Sequence, residues 1–453
     1  MNTILLQPTD VLFFRDGRPM TGALAGHGAA WPMPTVISTA FHAALHQAEL
    51  DKATGQMIHH HRRGRSGNYG TERDRKFGCL QTAGPFPVQF EEDKSTWFFP
   101  RPADAQLATS ANASLFPVGH STAASSLPQE LRYPVANTQK HSKDTPASWW
   151  NEGTWNTYLG TTPRNPVEHC LFKNDSDFAD AEHTVGIGID PCTGSQDGEH
   201  IYSASYLRLR EGWGLGILAT ALDKDFKDST GNDLITSLLK GDGGKIIIGG
   251  QQRICSARFE GKAGTPLPLP LGRKDGFSRA NGKFLVKWIL LSPSVWPAIL
   301  QDEAKGIAAH SGGWLPNWVE PGSGRVLLKS EDTGRGAHEP REAWRARVRK
   351  YSSLSVRLVA AVVPKPVVVT GWALSNDTDR LEGGAKSAHL AVPAGAVYYF
   401  EADSAEAAGA LAKALNWHGL THGTHIRNRR STLMGEKGFG LGVCGTWNFG
   451  DVR

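Results

Sequence analysis

The apolar residues of this chain fall into many short segments with strand-like spacing, and few stretches carry a helical period. Alternating or continuous apolar runs predict strands at residues 3–6, 11–14, 184–189, 201–210, 217–222, 245–248, 254–259, 283–291, 356–363, 367–372, 396–401 and 443–447. Helical spacing predicts helices at residues 35–50, 232–239, 295–303 and 404–415. Ser404 is the expected N-cap of the last helix. Several strands with few helices in each half predict an α+β fold.

Glycine and proline divide these segments, with 51 Gly and 26 Pro among 453 residues. They are densest, together with charged residues, at 261–282, which predicts an N-terminal domain over 1–265 and a C-terminal domain over 280–453. Two tandem ferredoxin-like, RRM-like domains fit the pattern best. Residues 55–84 read as a basic loop or hairpin, and residues 100–180 read as a loop-rich insertion. We expect Trp149, Trp150 and Trp155 to pin that insertion to a core.

Composition and missing motifs exclude several functional classes. The 49 Lys and Arg exceed the 44 Asp and Glu by only five, which excludes a long polyanion-coating tail but not local basic patches. No run approaches the length of a membrane helix, and the N-terminus does not read as a signal peptide, so no membrane partner is expected. The five cysteines form no C-x-x-C pair, which argues against a zinc ribbon and suits the cytoplasm.

Two local patterns match cofactor or metal motifs only in form. Residues 440–445 read G-x-G-x-x-G, but eight residues follow, too few for the helix and second strand of a dinucleotide-binding unit. His59, His60 and His61 are adjacent and cannot easily share one metal ion, so we interpret them as a solvated loop. No P-loop or H-E-x-x-H motif is present. The sequence therefore predicts no cofactor, no metal and no catalytic residue.

A glycine-rich segment near the C-terminus has a nucleic-acid-binding character. Gly438, Gly440 and Gly442 allow close backbone approach, and outward N–H groups bind anions. The basic residues Arg427, Arg429, Arg430 and Lys437 precede them or lie beside them. Phe439 could stack on a base or belong to the core of the last strand. On its own, this segment is a weak signal, and structural glycine packing explains it better than RNA binding does.

Six segments, in this order, resemble one known family. They are Pro8 to Pro19 (PTDVLFFRDGRP), Pro32 to Thr35, Ile248 to Arg253 (IGGQQR), Thr370 to Trp372, Ala391 to Val397 (AVPAGAV) and Gly438 to Gly442. Together they are similar to the family of the third subunit of the Cmr complex, the type III-B CRISPR effector, within the RAMP superfamily. The match touches both ends and the middle, about half of the chain, and its most specific part is DVLFFRDGRP.

The resemblance implies two RAMP folds of ferredoxin type and a non-catalytic role in antiviral defence. It implies that the chain holds the repeat-derived 5′ tag of the crRNA and contacts the large polymerase-like subunit and the neighbouring backbone subunit, with target RNA a further candidate partner. Phosphates and splayed bases of the tag would be held by side chains and glycines along one path. The residues expected to line it are Arg15, Arg18, Gly249, Gly250, Arg253, Arg427, Arg429, Arg430, Lys437, Gly438, Phe439 and Gly440.

An endoribonuclease is the alternative, because some RAMP relatives cleave repeat RNA without metal through a histidine near the first helix. His42 and His46 are expected on the polar face of that helix, and His422 and His425 precede the glycine segment. These pairs would supply a general acid and a general base. A metabolic enzyme with a small-molecule pocket has no support beyond chain length.

Overall fold

The structure is a computed structural model. It describes residues 1–15, 24–26, 31–48, 77–91, 94–119, 126–137, 143–161, 169–222, 233–240, 244–261, 264–331, 340–373 and 384–450. Arg18, the three histidines at 59–61 and the rest of the basic segment at 55–76 lie outside these ranges. None of the described helices is long and apolar enough to cross a bilayer.

The described residues form many short strands and few helices, a mixed α/β architecture. The helices are α1 (Pro34–Gln47), α2 (Glu152–Leu159), α3 (Asp175–Phe178), α4 (Leu234–Lys240), α5 (Arg341–Arg349) and α6 (Ala405–Leu415). The strands are β1 (Asn2–Pro8), β2 (Leu24–Gly26), β3 (Leu80–Phe90), β4 (Ser95–Pro100), β5 (Leu115–Pro117), β6 (Val135–Asn137), β7 (Trp149–Asn151), β8 (Phe172–Lys173), β9 (Ala179–Ile189), β10 (Gln196–Leu209), β11 (Trp213–Ala221), β12 (Lys245–Ile248), β13 (Arg253–Phe259), β14 (Ser278–Ala280), β15 (Lys283–Leu290), β16 (Val356–Val362), β17 (Val367–Val369), β18 (Trp372–Ala373), β19 (Gly384–Ala385), β20 (His389–Ala391), β21 (Val397–Ala402) and β22 (Gly442–Thr446).

The chain divides into two compact units, each built from three segments. Unit 1 comprises residues 1–97, 174–263 and 368–389, and unit 2 comprises 98–173, 264–367 and 390–453. One change of unit, at 263/264, lies beside the predicted boundary between 265 and 280. The division otherwise differs from the prediction of 1–265 and 280–453, because residues 98–173 join unit 2 and residues 368–389 join unit 1. The physical reason for the first difference is a buried polar cluster around Asp104, described below.

The main sheet of unit 1 is antiparallel, in the order β12-β13-β1-β11-β3, and β3 pairs with the first residues of β4. Helix α1 starts at Pro34, whose fixed φ suits the first helical position. Its residues Ile37, Phe41 and Leu45 recur every four positions and are fully buried. Helix α1 packs against β3 and β12, and α4 packs against β11. The apolar stripe predicted for the first helix is therefore confirmed.

Asp233, immediately before α4, ties that helix to two strands. Its carboxylate accepts hydrogen bonds from Asn2 Nδ2 at 2.8 Å, from Thr220 Oγ1 at 2.7 Å, and from the backbone N–H groups of Ala221 at 2.7 Å and Ile235 at 3.1 Å. Replacing Asp233 by alanine leaves all four donors without this acceptor.

We expect Asp233→Ala to lower the free energy of unfolding by about 2–3 kcal/mol, since a lost helix cap and orphaned donors each cost about 1 kcal/mol or more. Urea denaturation followed by circular dichroism measures it. Asp177→Ala, which alters the capping box of the short helix α3, is the comparison and should cost less than 1 kcal/mol. Equal losses for the two variants would contradict the assigned role of Asp233.

The main sheet of unit 2 is also antiparallel, in the order β14-β15-β21-β16, with β22 paired to β15 along its other edge. One face of this sheet packs against α6, and the buried residues there are Val286, Trp288, Leu290, Leu358, Tyr398, Phe400, Ala408, Leu411, Ala412 and Leu415. Ser404 caps α6, because its hydroxyl accepts from Ala407 N at 3.1 Å. The predicted alanine-rich helix and its N-cap are confirmed.

The opposite face of the unit 2 sheet carries a buried polar cluster. Asp104, which is fully buried, accepts hydrogen bonds from Tyr158 Oη at 2.6 Å and from Tyr399 Oη at 3.1 Å, and pairs with Lys287 Nζ at 3.1 Å. The Lys287 ammonium also lies 3.7 Å from the centre of the Tyr158 ring. Segment 98–173, which carries Asp104 and Tyr158, thus belongs to the core of this unit.

The tryptophans of this segment confirm their expected structural role. Trp150 and Trp155 are fully buried, and their ring centroids lie 6.2 Å apart in an edge-on arrangement. Trp149 is also buried. The aromatic residues therefore hold segment 98–173 in place, as their clustering predicts.

One predicted helix is wrong. Residues 295–303 have helical spacing, but Val295 and Ile299 form isolated bridges, with Leu433 and His310 respectively. Pro297 would lack the N–H that a helix interior needs, and only a 3-10 turn at Glu303–Lys305 follows. Similarly, the predicted strand at 11–14 is reduced to one bridge, between Leu12 and Leu207. Long-range pairing overrides local periodicity at both places.

Candidate nucleic-acid interface

Unit 1 brings several predicted residues together with others that the sequence does not single out. The end of β1, the turn between β12 and β13 and the middle of β10 meet at a half-exposed cluster. We call it the Arg253 patch; it consists of Asp10, Phe13, Tyr206, Arg208, Gln251 and Arg253. Arg15, which is exposed, follows the same β1 end by a few residues.

The turn between β12 and β13 depends on left-handed backbone. Gly249 has φ of +69°, and a Cβ there would lie 2.4 Å from Phe13 O. Gly250 N donates to the same oxygen at 2.9 Å. Gln251 and Gln252 also adopt positive φ. Gly249 and Gly250 therefore let the turn press against the VLFF segment, which is a packing role in addition to the predicted RNA contact.

Within the patch, a guanidinium and two aromatic rings lie together. Arg253 is 5.2 Å from the centre of the Tyr206 ring, and Tyr206 and Phe13 have ring centroids 5.4 Å apart. Gln251 bridges them, donating to Tyr206 Oη at 3.0 Å and accepting from Arg253 Nη2 at 3.0 Å. The hydrogen bond from Gln251 is the main cause that lowers the pKa of Tyr206. A half-exposed ring beside a guanidinium is a surface on which a base can stack.

Carboxylates hold the arginines of the patch in place. Asp10 pairs with Arg208 at 3.1 Å and with Arg253 at 3.4 Å. Arg208 also forms a two-pronged ion pair with Glu182 on the neighbouring strand. Hydrogen bonding to Val11 N, followed by the arginine contacts, lowers the pKa of Asp10. At 27% exposure for Arg253 and 45% for Arg208, both guanidiniums remain reachable from solvent.

The glycine segment of unit 2 is built differently from the prediction. Gly438, Phe439 and Gly440 are all buried, and Phe439 is fully so. A Cβ on Gly440, which has φ of +76°, would lie 2.1 Å from Ser431 N. The glycines thus allow the chain to pack against itself. Phe439 offers no ring surface for stacking in this structure, whereas RNA contact through Gly438 and Gly440 stays a prediction.

Two of the basic residues in this segment have structural partners. Arg430 Nε donates to Ala414 O at 2.6 Å and so satisfies a carbonyl at the C-terminus of α6. The neutral residue Asn428 does the same, because its Nδ2 donates to Lys413 O at 2.7 Å. Arg429 Nη1 donates to Gly435 O at 2.8 Å. Arg427 is exposed and Lys437 is half-buried. Arg427 is therefore the most accessible of the four predicted basic residues here.

The histidines of the nuclease alternative are not simply outward-facing. His42 and His46 are half-buried, their ring centroids lie 4.7 Å apart, and both rings pack edge-on against Phe77. In unit 2, burial and then the charge of Arg427 lower the pKa of His425. His422 is exposed. Among the described residues, no cluster of three or more His, Cys, Asp or Glu has the geometry to hold a metal.

Sequence reasoning found Arg15, Gly249, Gly250 and Arg253 but missed Phe13, Tyr206, Arg208 and Gln251 as parts of one surface. Tyr206 and Arg208 are two positions apart on β10, so their side chains lie on the same face of that strand. The pattern YLRL therefore indicates a face with an aromatic ring and a cation. Nothing local, however, pairs that strand with residues about two hundred positions earlier. The patch depends on the bridge between Leu12 and Leu207.

Comparison with known proteins defines the class and then the family. The sequence model described as "CRISPR-associated protein (Cas_Cmr3)" matches residues 4–447. The protein is therefore CRISPR-associated. The chain belongs to the Cas_Cmr3 family. No curated protein gives a significant match.

Three solved structures are similar in part. A chain of "Cryo-EM structure of the Type III-B Cmr-beta bound to cognate target RNA" has 15% identity and TM-score 0.36, covering 88% of this chain and 86% of that chain. A chain of "Cryo-EM structure of the Type III-B Cmr-beta bound to cognate target RNA and AMPPnP, state 1" has 13% identity and a TM-score of 0.35, and the match covers 88% of this chain and 86% of that chain. A chain of "Crystal structure of Csm3-Csm4 subcomplex in the type III-A CRISPR-Cas interference complex" has 9% identity and a TM-score of 0.32, and the match covers 88% of this chain and 92% of that chain. These scores are low, so the family assignment rests on the sequence match.

Proposed function

We propose that this protein is a non-catalytic RNA-binding scaffold subunit that holds the repeat-derived 5′ tag of the crRNA. The Arg253 patch is the observation that carries the proposal, because it combines solvent-reachable guanidiniums with two neighbouring aromatic rings. Guanidiniums neutralise phosphates and aromatic rings stack on splayed bases, which are the two main modes of single-strand recognition. Arg427, exposed in unit 2, is a second candidate phosphate contact.

The proposed fold of each unit is ferredoxin-like. In unit 1 the order β13-β1-β11-β3, with α1 after β1 and α4 after β11, matches the 4-1-3-2 order of a β-α-β-β-α-β module. In unit 2 the order β22-β15-β21-β16, with α6 after β21, corresponds to the same arrangement. The subunit would act in the cytoplasm, joined to the large polymerase-like subunit and to the neighbouring backbone subunit.

The test is charge reversal in the assembled complex. Arg15→Glu with Arg253→Glu should lower the crRNA retained per complex roughly tenfold after a moderate salt wash, because two phosphate contacts become repulsive. Lys240→Glu with Lys245→Glu is the matched control, since it makes the same charge change at exposed positions of unit 1. Circular dichroism of the free subunit checks that the variants fold.

A companion variant separates charge from stacking. Tyr206→Ala removes a ring beside Arg253 without changing the net charge, and it should also reduce retention, whereas Tyr206→Phe keeps the ring and should retain most of the RNA. Full crRNA retention in both the double arginine variant and Tyr206→Ala would refute the proposed site.

A further inference from the structure

Helix α5 concentrates positive charge that the candidate interface does not use. Residues 340–350 contain four arginines, one lysine and one glutamate, a net charge of +4, whereas the whole chain carries +5. Such a density is well above the average of the chain. A surface of this kind attracts polyanions at long range.

A hydrogen-bonded stem in unit 2 holds the segment that contains the helix. Leu354 N donates to Leu328 O at 2.9 Å, and Ser330 N donates to Ser352 O at 3.0 Å. Lys329 Nζ donates to Ser353 Oγ at 3.2 Å between the same two strands of the stem. The second strand of the stem begins at Ser352, directly after residues 340–351, so α5 lies close to the stem in the sequence.

The described side chains of α5 separate into a packed face and an exposed face. Trp344, Val348 and the following Tyr351 are half-buried at helical spacing. Arg349 and Lys350 are exposed, as are the two alanines, Ala343 and Ala346. Small residues beside cations let a backbone polyanion approach the helix closely.

Helix stability accounts for only part of this charge. Cations in the last turn, where Arg347 and Arg349 lie, interact favourably with the helix dipole. The dipole interaction falls off beyond the last turn, so it does not account for all four arginines of the segment. Binding of an external anion is a further reason for such a charge.

We propose that α5 is a second nucleic-acid contact, which binds the phosphate backbone of single-stranded RNA. An acidic protein surface fits less well, because protein interfaces use buried aromatic or aliphatic anchors at their centre. On the exposed face, the described apolar residues are only Ala343 and Ala346. Binding through charge and close approach needs no such anchor. This contact is additional to the proposed tag site, and it does not depend on it.

The test measures binding of a fluorescein-labelled oligouridylate to the full purified chain across a salt series. Arg349→Ala with Lys350→Ala should weaken binding roughly tenfold at low salt, and reduce the slope of log K against log salt by about 1.4, since each lost phosphate contact removes about 0.7. Lys143→Ala with Lys365→Ala is the matched control, with the same charge change at exposed positions of unit 2. It should leave affinity and slope nearly unchanged.

Two further measurements keep the outcome decisive. Arg349→Lys with Lys350→Arg preserves charge and should keep wild-type binding, which separates charge from folding. Photo-crosslinking with 4-thiouridine RNA should label peptides from residues 340–351. Preferential displacement of the RNA by polyglutamate over an equal charge of unlabelled oligouridylate would overturn the proposal in favour of an acidic protein partner. Equal losses in the helix variant and its control would overturn it as well.

The Arg15→Glu, Arg253→Glu variant distinguishes failure of this proposal from failure of the tag site. In that background the loss caused by Arg349→Ala with Lys350→Ala should persist at the same fold-change. Loss of the α5 effect only in that background would show that α5 does not bind RNA independently, and would overturn the inference while leaving the tag site standing.

Discussion

Asp104→Asn is expected to lower the free energy of unfolding by about 3–5 kcal/mol, because it leaves the buried Lys287 ammonium without its counterion. Lys287 is 4% exposed, and burial already lowers its pKa, against the opposing effect of Asp104. The asparagine amide also cannot accept both tyrosine hydroxyls and compensate the ammonium together. Urea denaturation followed by tryptophan fluorescence measures the loss, since Trp150, Trp155 and Trp288 are buried in this unit.

A double-mutant cycle tests the cause of that loss. Adding Lys287→Met to Asp104→Asn removes the buried charge, so the double variant should be less destabilised than the sum of the single variants. Tyr399→Phe, which removes one hydroxyl from the same cluster, should cost only about 1 kcal/mol. Strict additivity of Asp104→Asn and Lys287→Met would show that the two groups do not act as a pair.

Stability is also expected to fall steeply as pH rises above 10. Burial, with the charge of Asp104 next, raises the pKa values of Tyr158 and Tyr399 well above 10.0, and burial raises that of Tyr398 likewise. These tyrosines stay protonated in the folded chain but ionise in the unfolded chain. The stability they contribute is therefore complete below pH 10 and is lost above it, by about 1.4 kcal/mol per pH unit for each tyrosine.

Other buried groups modify this pH profile in known directions. Burial raises the pKa of Cys255 from 9.0 to about 12 and also raises that of Cys444, so these thiols add to the loss from pH 9 upward. Lys287 acts oppositely, because its lowered pKa makes stability rise with pH until the unfolded lysine titrates near 10.5. Three tyrosines and two thiols outweigh one lysine, so the net direction is a loss.

Ultraviolet titration at alkaline pH checks this expectation alongside circular dichroism. Of the 8 tyrosines, Tyr158, Tyr398 and Tyr399 should ionise only when the fold is lost. Tyr398→Phe should reduce the slope of the unfolding free energy against pH by about one proton. It also removes the hydrogen bond from the Tyr398 hydroxyl to Trp314 O at 2.6 Å. Ionisation of all the tyrosines near pH 10 with the fold intact would contradict the prediction.

The sequence predicts those elements whose signal is local. Helix α6 has Ser404 at its N-cap and apolar residues at helical spacing, and β15 and β21 are mostly apolar, so their positions follow from neighbouring residues alone. The same local rules fail at Val295, where pairing with Leu433 replaces a helix. They also cannot assign residues 98–173 to unit 2, because the deciding contact joins Asp104 to Lys287, which lies 183 positions later.

The residues of the candidate site also differ in whether the sequence alone can predict them. Arg15 and Arg253 follow from the family resemblance, whereas Tyr206 and Arg208, which lie close to Arg253 or share Asp10 with it, require the sheet register to be known. The glycines near the C-terminus show a second limit of sequence patterns. Gly438 and Gly440 have the composition of an anion-binding loop, yet a close approach to Ser431 and Arg430 explains Gly440 fully. Composition cannot distinguish a backbone that approaches RNA from one that approaches its own chain.

The three-segment construction of each unit has a consequence for synthesis on the ribosome. The main sheet of unit 1 can assemble once β13 has emerged, at residue 259. Segment 98–173 emerges well before that point, but the strand that carries Lys287 comes later, and β22, which completes the sheet, ends at Thr446. The surface that carries Asp104 and Tyr158 is therefore made early, whereas its partners Lys287 and Tyr399 are made late. During translation this surface needs protection from aggregation.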